Sequence, residues 1–528
     1  MVVAPTKEIA MNPLHFHRTQ PDQATRRTLL RAMGAAAVTA GVGGVYPAFA
    51  KPAVTNSFTR IFSNLPPFAE ASAKLTAALL DIGKAGGIMD AKDNLAAGPA
   101  LLITDLSLSA NNQNALLPEG AAGTTFMGQF IDHDMTFDTT SRLGVATKPR
   151  DSINSRLPAL DLDSVYGTGP VADQLLYDPS DRVKFKVESG GLFEDLPRLQ
   201  DGRALISDPR NDEHVILAGL HAAFLLFHNR AVDFVRASGE TDSGAVFARA
   251  RKLTTWHYQW IVVNEILPSF IGQPMVSDIL RRGPRFYRTD EDESVLMPVE
   301  FQGAAYRFGH SMVRPSYRAN LKGDNGKPFF GMIFDPAGQG QADPVDLRGA
   351  RAPRRFVGWQ TFFDFKDGEL KPRKRIDTHI STPLFNLPLG AIADGSTPTS
   401  LPQRNLLRHV TWQLPSGQRI AKEMDVPSLA ANDLSELSGY GLGLERNTPL
   451  WYYVLKEADI IGGGQHLGPV GGRIVGEVII GLLQADRNSY LNAEPRWTPT
   501  LASSTGAGFF KMVDFLTFAG VSPASRGQ

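Results

Sequence analysis

Residues 128–134, Gly128-Gln129-Phe130-Ile131-Asp132-His133-Asp134, place an imidazole, two carboxylates and an amide in about two helical turns. If the stretch is helical, Gln129 and His133 are four residues apart and face one cavity. Asp132 and Asp134 then point to other sides of the helix. Because the surrounding residues are apolar, both carboxylates need a metal, a cation or a covalent bond to be buried there.

Two further stretches also place a histidine close to an arginine. In residues 208–214 (DPRNDEH), Arg210 and Glu213 share one face at a helix start, which capping and a salt bridge could also explain. In residues 306–312 (YRFGHSM), a glycine precedes His310, and this indicates close approach of a flat group.

The overall composition excludes several classes of protein. The 528 residues include 54 Lys+Arg and 54 Asp+Glu, so a net field for a nucleic acid or an anionic membrane is absent. No cysteine is present, which excludes disulfides, iron–sulfur clusters, thiolate metal ligands and cysteine nucleophiles. Any metal must be held by histidine or oxygen ligands.

The N-terminal segment resembles an export signal. Thr25–Arg31 (TRRTLLR) precedes an Ala/Gly-rich apolar run, Ala32–Val45, and Ala48–Ala50 (AFA) forms an A-x-A cleavage site. The run is too short and too rich in glycine for a membrane span. We expect residues 1–50 to be a twin-arginine signal read by the twin-arginine export machinery. The mature chain, residues 51–528, would then be one periplasmic or extracellular domain without a transmembrane segment.

Helical periodicity dominates the mature chain. Val215–Ala237 has a broad apolar face, and Asp208 with Pro209 is expected to cap its start. Leu253–Leu267 is expected to stop at Pro268, and Arg473–Leu483 is a further helix.

Strand-like alternation is rare, and long Gly/Pro-rich loops separate the helices. Ala319–Pro353 is expected to be such a loop, with a solvated basic stretch at Arg348–Arg355. The pattern predicts a mainly α protein with few short strands.

Five motifs in order resemble the animal-type haem peroxidases, the superfamily of myeloperoxidase, thyroid peroxidase and peroxidasin, in a bacterial form. They are GQFIDHD, ALDLDSVYG (159–167), DPRNDE, YRFGHSM and RNLLR (404–408). The resemblance implies a single large helical domain that binds haem b. It implies reduction of hydrogen peroxide through an oxoferryl intermediate, and oxidation of organic donors or halides.

Roles carried over from the family fall on both faces of the haem. His133 resembles the distal histidine, with Gln129 and Arg210 as its partners in the peroxide pocket. The other carried-over roles are His310 as the iron ligand, Asn405 as acceptor of its N–H, and Arg307 and Arg408 as partners of the haem propionates.

The family can also attach its haem covalently. Asp132 and Glu213 match the two carboxylates that form esters with haem methyl groups. His214 stands where myeloperoxidase has the methionine of its sulfonium link, so that link cannot form.

A calcium site is the last implication of the resemblance. Asp134 matches its helix ligand, and Asp161, Asp163 and the Ala159 carbonyl match ligands in the following loop. The family usually has threonine where this chain has Leu157, so one hydroxyl ligand is missing.

Two alternatives remain from the sequence. A fatty-acid dioxygenase of the cyclooxygenase or linoleate diol synthase type has a tyrosine three residues before the proximal histidine, whereas Tyr306 lies four before His310. A non-catalytic haem-binding or adhesion module would need a degraded pocket, and the matched pocket residues are all present. The position of Tyr306 and the complete set of pocket residues both favour the peroxidase.

Overall fold

The computed structural model describes residues 57–109, 111–189, 193–288, 295–324, 326–335, 343–349, 351–392, 395–504, 506–526 and 528. All of them belong to one compact unit, Tyr46–Gln528. The expected signal, residues 1–50, lies outside the described residues, so twin-arginine export stays a prediction.

Helices form most of the regular structure. In the described residues they are α1 Ala73–Ile82, α2 Pro99–Thr104, α3 Ala122–Met135, α4 Asp163–Tyr166, α5 Val215–Ala237, α6 Ser243–Ile261, α7 Leu267–Ile271, α8 Gln273–Arg282, α9 Val299–Gly303, α10 Gly309–Met312, α11 Leu401–Thr411, α12 Gly417–Met424, α13 Leu450–Gly462, α14 Pro469–Ala485, α15 Tyr490–Ala493 and α16 Met512–Ala519. The predicted mainly α class is confirmed.

Strands occur as three two-stranded sheets in the described residues. β1 Phe58–Thr59 pairs in parallel with β4 Met297–Pro298, and β2 Glu188–Ser189 pairs antiparallel with β3 Glu194–Asp195. The longest pair is the hairpin of β5 Ser316–Asp324 and β6 Lys327–Met332. The predicted loop, Ala319–Pro353, was therefore wrong for the residues that form this hairpin. The hairpin is held by pairing between β5 and β6, which helix periodicity cannot detect.

The core is built around α5. This helix packs along α6 and α16 and crosses α3, and Phe130 of α3 stacks on Phe224 of α5 with ring centroids 4.5 Å apart. By length and composition α5 could cross a membrane, but 83% of its most apolar window is buried inside the protein. That burial is what a core helix requires.

The predicted cap of α5 was wrong. Asp208 caps a separate 3-10 turn, Pro209–Asp212, by accepting a hydrogen bond from the Arg210 amide. The helix proper starts at Val215, where Nδ1 of His214 accepts the Leu217 amide at 3.3 Å. The apolar face nevertheless gave the bounds Val215–Ala237 correctly.

Pro268 does not end the helix before it. After α6 the chain forms a π-helical segment, Val262–Ile266, and continues through Pro268 to Ile271. Proline is tolerated because it occupies the first turn of α7. The helical run ends instead at Gly272, whose φ is +77°.

The basic stretch Arg348–Arg355 is not uniformly solvated. Arg351 is 5% exposed and Arg355 is fully buried. Arg351 pairs with Glu194 at 3.1 Å, and Arg355 lies 3.5 Å from Asp343. Ion pairs to distant segments offset the burial of these charges, and local composition does not reveal such pairs.

Candidate active site

A cavity of about 200 Å³ lies between α3 and α10. Helix α3 is enclosed on nearly every side, with twelve of its fourteen residues buried. Gly128 allows that enclosure, since a Cβ there would lie 3.0 Å from the ring of Phe270. The cavity therefore has one wall fixed by close packing of α3 against its neighbours.

Gln129, His133 and Asp132 all line this cavity. The spacing of the first two predicted that result, but Asp132 was expected to point elsewhere. A helix face about 100° wide accommodates positions 129, 132 and 133 together, which explains the difference. Burial raises the pKa of Asp132, and the positive charges of Arg210 and Arg307 oppose that rise.

His310 reaches the same cavity from α10. Gly309 also lines the cavity, and a Cβ built on it would meet nothing within 4 Å, so the glycine leaves open space there. Burial lowers the pKa of His310 to about 3, and nearby Arg307 adds to the effect. The imidazole is therefore neutral at physiological pH and can serve as a metal ligand.

His133 is held by a buried asparagine. Its Nδ1 lies 2.9 Å from Oδ1 of Asn211. Burial lowers the pKa of His133 to about 3, with a further contribution from Arg210. A neutral imidazole with one ring nitrogen occupied by Asn211 keeps the other for chemistry in the cavity.

Arg210 lies beside α3 and is not among the described residues that line the cavity. It donates to both carboxylate oxygens of Asp208, and its Nη2 donates to the His133 carbonyl at 3.1 Å. Its guanidinium also stacks over Phe137, 4.1 Å from the ring centre. Burial alone would raise the pKa of Asp208, but Arg210 lowers it overall. The direct role of Arg210 toward peroxide stays a prediction.

Glu213 and His214 are joined through Gln129. Nε2 of Gln129 donates to Glu213 at 2.8 Å, and its Oε1 lies 3.1 Å from Nε2 of His214. Because Nδ1 of His214 accepts the Leu217 amide, its Nε2 carries the proton and donates to Gln129. Burial raises the pKa of Glu213 to about 8. All three side chains line the cavity.

Asn405 contacts His310, with Nδ2 of the amide 2.7 Å from Nδ1 of the ring. Its Oδ1 accepts from Arg307 at 3.0 Å. For Asn405 to accept the His310 N–H, the amide would have to turn over, and its NH2 group would then face Arg307.

Arg408 is paired with Asp138. Contacts of Arg307 and Arg408 with propionates stay predictions, since neither residue is among the described residues that line the cavity.

Three carboxylates form a second cluster behind α3. Oxygen atoms of Asp134, Asp161 and Asp163 lie within 4.8 Å of one another. Asp134 is fully buried and accepts from the Leu162 amide at 3.1 Å and from the Ser164 hydroxyl at 2.8 Å. Burial, Asp163 and Asp161 together raise the pKa of Asp134 well above its usual value. Such crowding is relieved by a bound cation.

The loop between these acids has an unusual backbone. Leu162 is fully buried and has φ of +60°, a left-handed conformation that few residues with a Cβ adopt. The Leu157 amide lies 3.4 Å from Asp163, and the Leu157 carbonyl accepts the Ala159 amide at 2.8 Å. The predicted contribution of Leu157 and of the Ala159 carbonyl to a metal site stays a prediction.

Sequence reasoning missed Asn211 as a site residue. It lies inside the DPRNDEH motif, but only Arg210 and Glu213 attracted attention there. The available signal was the Asp208-Pro209 pair, which predicts a tight turn. Such a turn can direct a side chain back toward α3, as the Asn211 contact with His133 shows.

Comparison with known proteins gives consistent results. The family model for animal haem peroxidase matches residues 138–337. The chorion peroxidase of Aedes aegypti is 30% identical over 173 residues, which are 30% of this chain and 22% of that protein. The aligned part is between 15% and 26% of the length of the first curated relatives.

Two solved structures share the fold. Peroxidase A from Dictyostelium discoideum superimposes with a TM-score of 0.55 at 16% identity, covering 87% of this chain and 93% of that chain. The fatty acid alpha-dioxygenase of Arabidopsis thaliana gives a TM-score of 0.52 at 14% identity, with coverage of 82% and 73%.

The helical fold is shared with peroxidase A of Dictyostelium discoideum, and the cavity of this chain has a histidine on each of two helices, His133 and His310. The match of residues 138–337 to the animal haem peroxidase family and the likeness to curated peroxidases support the resemblance of this chain to the animal-type haem peroxidase superfamily.

Proposed function

We propose that this protein is a haem peroxidase that reduces hydrogen peroxide and oxidises small-molecule or halide donors. The observation that carries the proposal is the placement of His133 and His310 in one cavity, from two separate helices. A pair of neutral imidazoles provides one metal ligand and one acid–base group.

The cavity fits a haem group. The open space at Gly309 admits a flat ring system beside His310, and most of the remaining lining is aromatic or aliphatic. His310 would hold the iron, and Asp132 and Glu213 would supply the carboxylates that face the bound group. The bound haem supplies the electrons that reduce peroxide.

The chain's own residues account for the proton transfers. With Nδ1 of His133 occupied by Asn211, its Nε2 can accept a proton from hydrogen peroxide and later return it to the departing oxygen. Arg210 fixes the main chain of His133 through its carbonyl and places a permanent positive charge nearby. Gln129 is held between Glu213 and His214 and keeps an amide at the cavity wall.

Absorption spectroscopy tests this proposal. The purified protein should show a Soret band that shifts on adding hydrogen peroxide and returns on adding a phenol. A protein that binds haem but shows no spectral response to peroxide would contradict the peroxidase proposal and support a non-catalytic haem module.

One observation favours a second candidate, fatty-acid dioxygenase. Tyr306 lines the cavity, and its buried hydroxyl has no hydrogen-bond partner in the described part of the chain. Burial raises the pKa of Tyr306 well above its usual value, so the O–H remains protonated. Oxygen uptake with linoleate, abolished by Tyr306→Phe, would establish this alternative; no uptake, with phenol oxidation intact, would exclude it.

We infer that the cluster of Asp134, Asp161 and Asp163 binds calcium. Clustered carboxylates are the ligands that this hard cation prefers, and the left-handed Leu162 brings two of them to the third. Arg156 and Arg251 lie 3.6 and 3.8 Å from Asp163 and Asp161, whereas Asp134 has no arginine partner among the described residues. A bound cation would therefore stabilise the charge of Asp134 more than that of the other two carboxylates.

Prolonged chelation should lower both the thermal unfolding midpoint and the rate of reaction with peroxide, because Asp134 directly follows His133. Differential scanning calorimetry and stopped-flow measurements with and without chelator measure the two effects. Asp134→Asn should reproduce them, whereas Asp233→Asn, which alters an exposed ion pair with Lys184, should not. Metal analysis that finds no calcium in fully active protein would refute this site.

Haem should become ester-linked during turnover with peroxide. Asp132 and Glu213 both line the cavity, and the methionine of a sulfonium link is replaced by His214. Acidified organic solvent should leave haem on the peroxide-treated protein and remove it from the Asp132→Asn, Glu213→Gln double variant. Complete extraction from the treated wild type would leave both acids with structural roles only.

A further inference from the structure

Three buried side chains form a chain that starts at the cavity. Nδ1 of His133 lies 2.9 Å from Oδ1 of Asn211, and Nδ2 of Asn211 lies 3.0 Å from Nδ1 of His221. Their exposed fractions are 5%, 0% and 1%. Because Asn211 is buried, its side-chain amide needs hydrogen-bond partners within the protein, and the two rings supply them.

The amide of Asn211 determines where both ring protons lie. Its Oδ1 can only accept, so Nδ1 of His133 carries the proton and Nε2 has the lone pair. Its Nδ2 can only donate, so Nδ1 of His221 is unprotonated. If the amide turned over, both rings would exchange tautomers and Nε2 of His133 could no longer accept a proton.

We propose that Asn211, oriented by His221, is a positioning residue that holds His133 in the tautomer able to accept the proton of hydrogen peroxide. This inference rests on the proposed peroxidase function and deepens it. It assigns a role to two residues that do not line the cavity.

The backbone and the nearby ion pairs keep the Asn211 side chain between the two rings. The backbone N–H of Asn211 donates to the Asp208 carbonyl at 3.1 Å, and this bond fixes the 3-10 turn that holds Asn211. The charged groups that act on the two histidines are Arg210, Asp208 and Arg156. Arg210 and Arg156 pair with Asp208 at 2.7 and 2.8 Å. Because both arginines bond Asp208, the side-chain amide of Asn211 bonds the two rings instead.

Nitrogen NMR of the protein labelled at histidine with ¹⁵N tests the proposal. The ferrous carbon monoxide form is diamagnetic, so protonated and unprotonated ring nitrogens can be distinguished. The wild type should show His133 protonated at Nδ1 only, assigned by loss of the signal in His133→Ala. Asn211→Leu should give a mixture of His133 tautomers and slow the reaction with peroxide by about 10- to 100-fold.

Two further variants separate positioning from packing. Asn211→Asp retains an acceptor for Nδ1 of His133, so it should restore the tautomer and most of the rate. His221→Phe should free the amide and give mixed tautomers. His228→Phe removes another buried histidine of α5, one that bonds Tyr166 and Val183, and should leave the His133 signals unchanged.

A single tautomer of His133 that persists in both Asn211→Leu and His221→Phe would overturn the proposal. Equal slowing in Asn211→Leu and Asn211→Asp would also overturn it, since packing alone would then explain the loss. If the wild type fails to react with peroxide, the proposed function fails, while the NMR spectra still decide whether Asn211 sets the tautomer.

Discussion

His133→Ala should slow the reaction of the haem protein with hydrogen peroxide by about 10²- to 10⁴-fold, the usual contribution of a positioned acid–base group. The cavity loses its neutral acceptor, whose pKa of about 3 keeps it unprotonated across the physiological range. Haem content should remain near normal, because His310 is untouched. Stopped-flow absorbance at the Soret band gives the second-order rate constant.

A control for this loss is His257→Ala. His257 is also buried, but its Nδ1 donates to the Leu253 carbonyl and it is not among the described residues that line the cavity. We expect its rate constant to match the wild type. An unchanged rate in His133→Ala would remove this histidine from the mechanism and make Glu213, with its raised pKa, the next candidate.

His310→Ala should abolish histidine ligation of the haem iron, since the family's iron ligand is lost. Resonance Raman spectra should lose the iron–imidazole stretch, and haem should dissociate readily during gel filtration. Added imidazole should restore part of the spectrum, because the truncated side chain leaves a space of matching shape beside Gly309.

The other buried histidines are poor substitutes as ligands. His409 lies 3.1 Å from the Asn405 carbonyl through Nδ1 and accepts the Trp451 amide through Nε2. His228 uses both ring nitrogens with Tyr166 and Val183. A His310→Ala protein that keeps a full complement of histidine-bound haem would show that one of these, or His221, is the ligand instead.

Local periodicity was sufficient to predict the long core helix and one wall of the cavity. The apolar face of Val215–Ala237 gave that helix, and the spacing of Gln129 and His133 placed both on the cavity. These predictions succeeded because residues four apart on a helix share a face whatever surrounds them.

Features that depend on contacts between separate elements were not predictable from local patterns. The burial of Arg351 depends on Glu194, and Asn211 acquires its partners only when α3 and α5 meet. The hairpin that begins at Ser316 likewise depends on pairing with the strand that follows. None of these contacts can be read from the pattern of one segment alone.

The wide turn at Val262–Ile266 determines the rotational phase of α7, which follows it directly. Each residue of an α-helix advances the direction of its side chain by about 100°, so one residue more or fewer in this turn would swing α7 by roughly that angle. Phe270, which fills the space left by Gly128, would then leave the cavity wall. The position of the aromatic ring over α3 thus depends on a single residue of chain length in a segment that is not among the described residues lining the cavity.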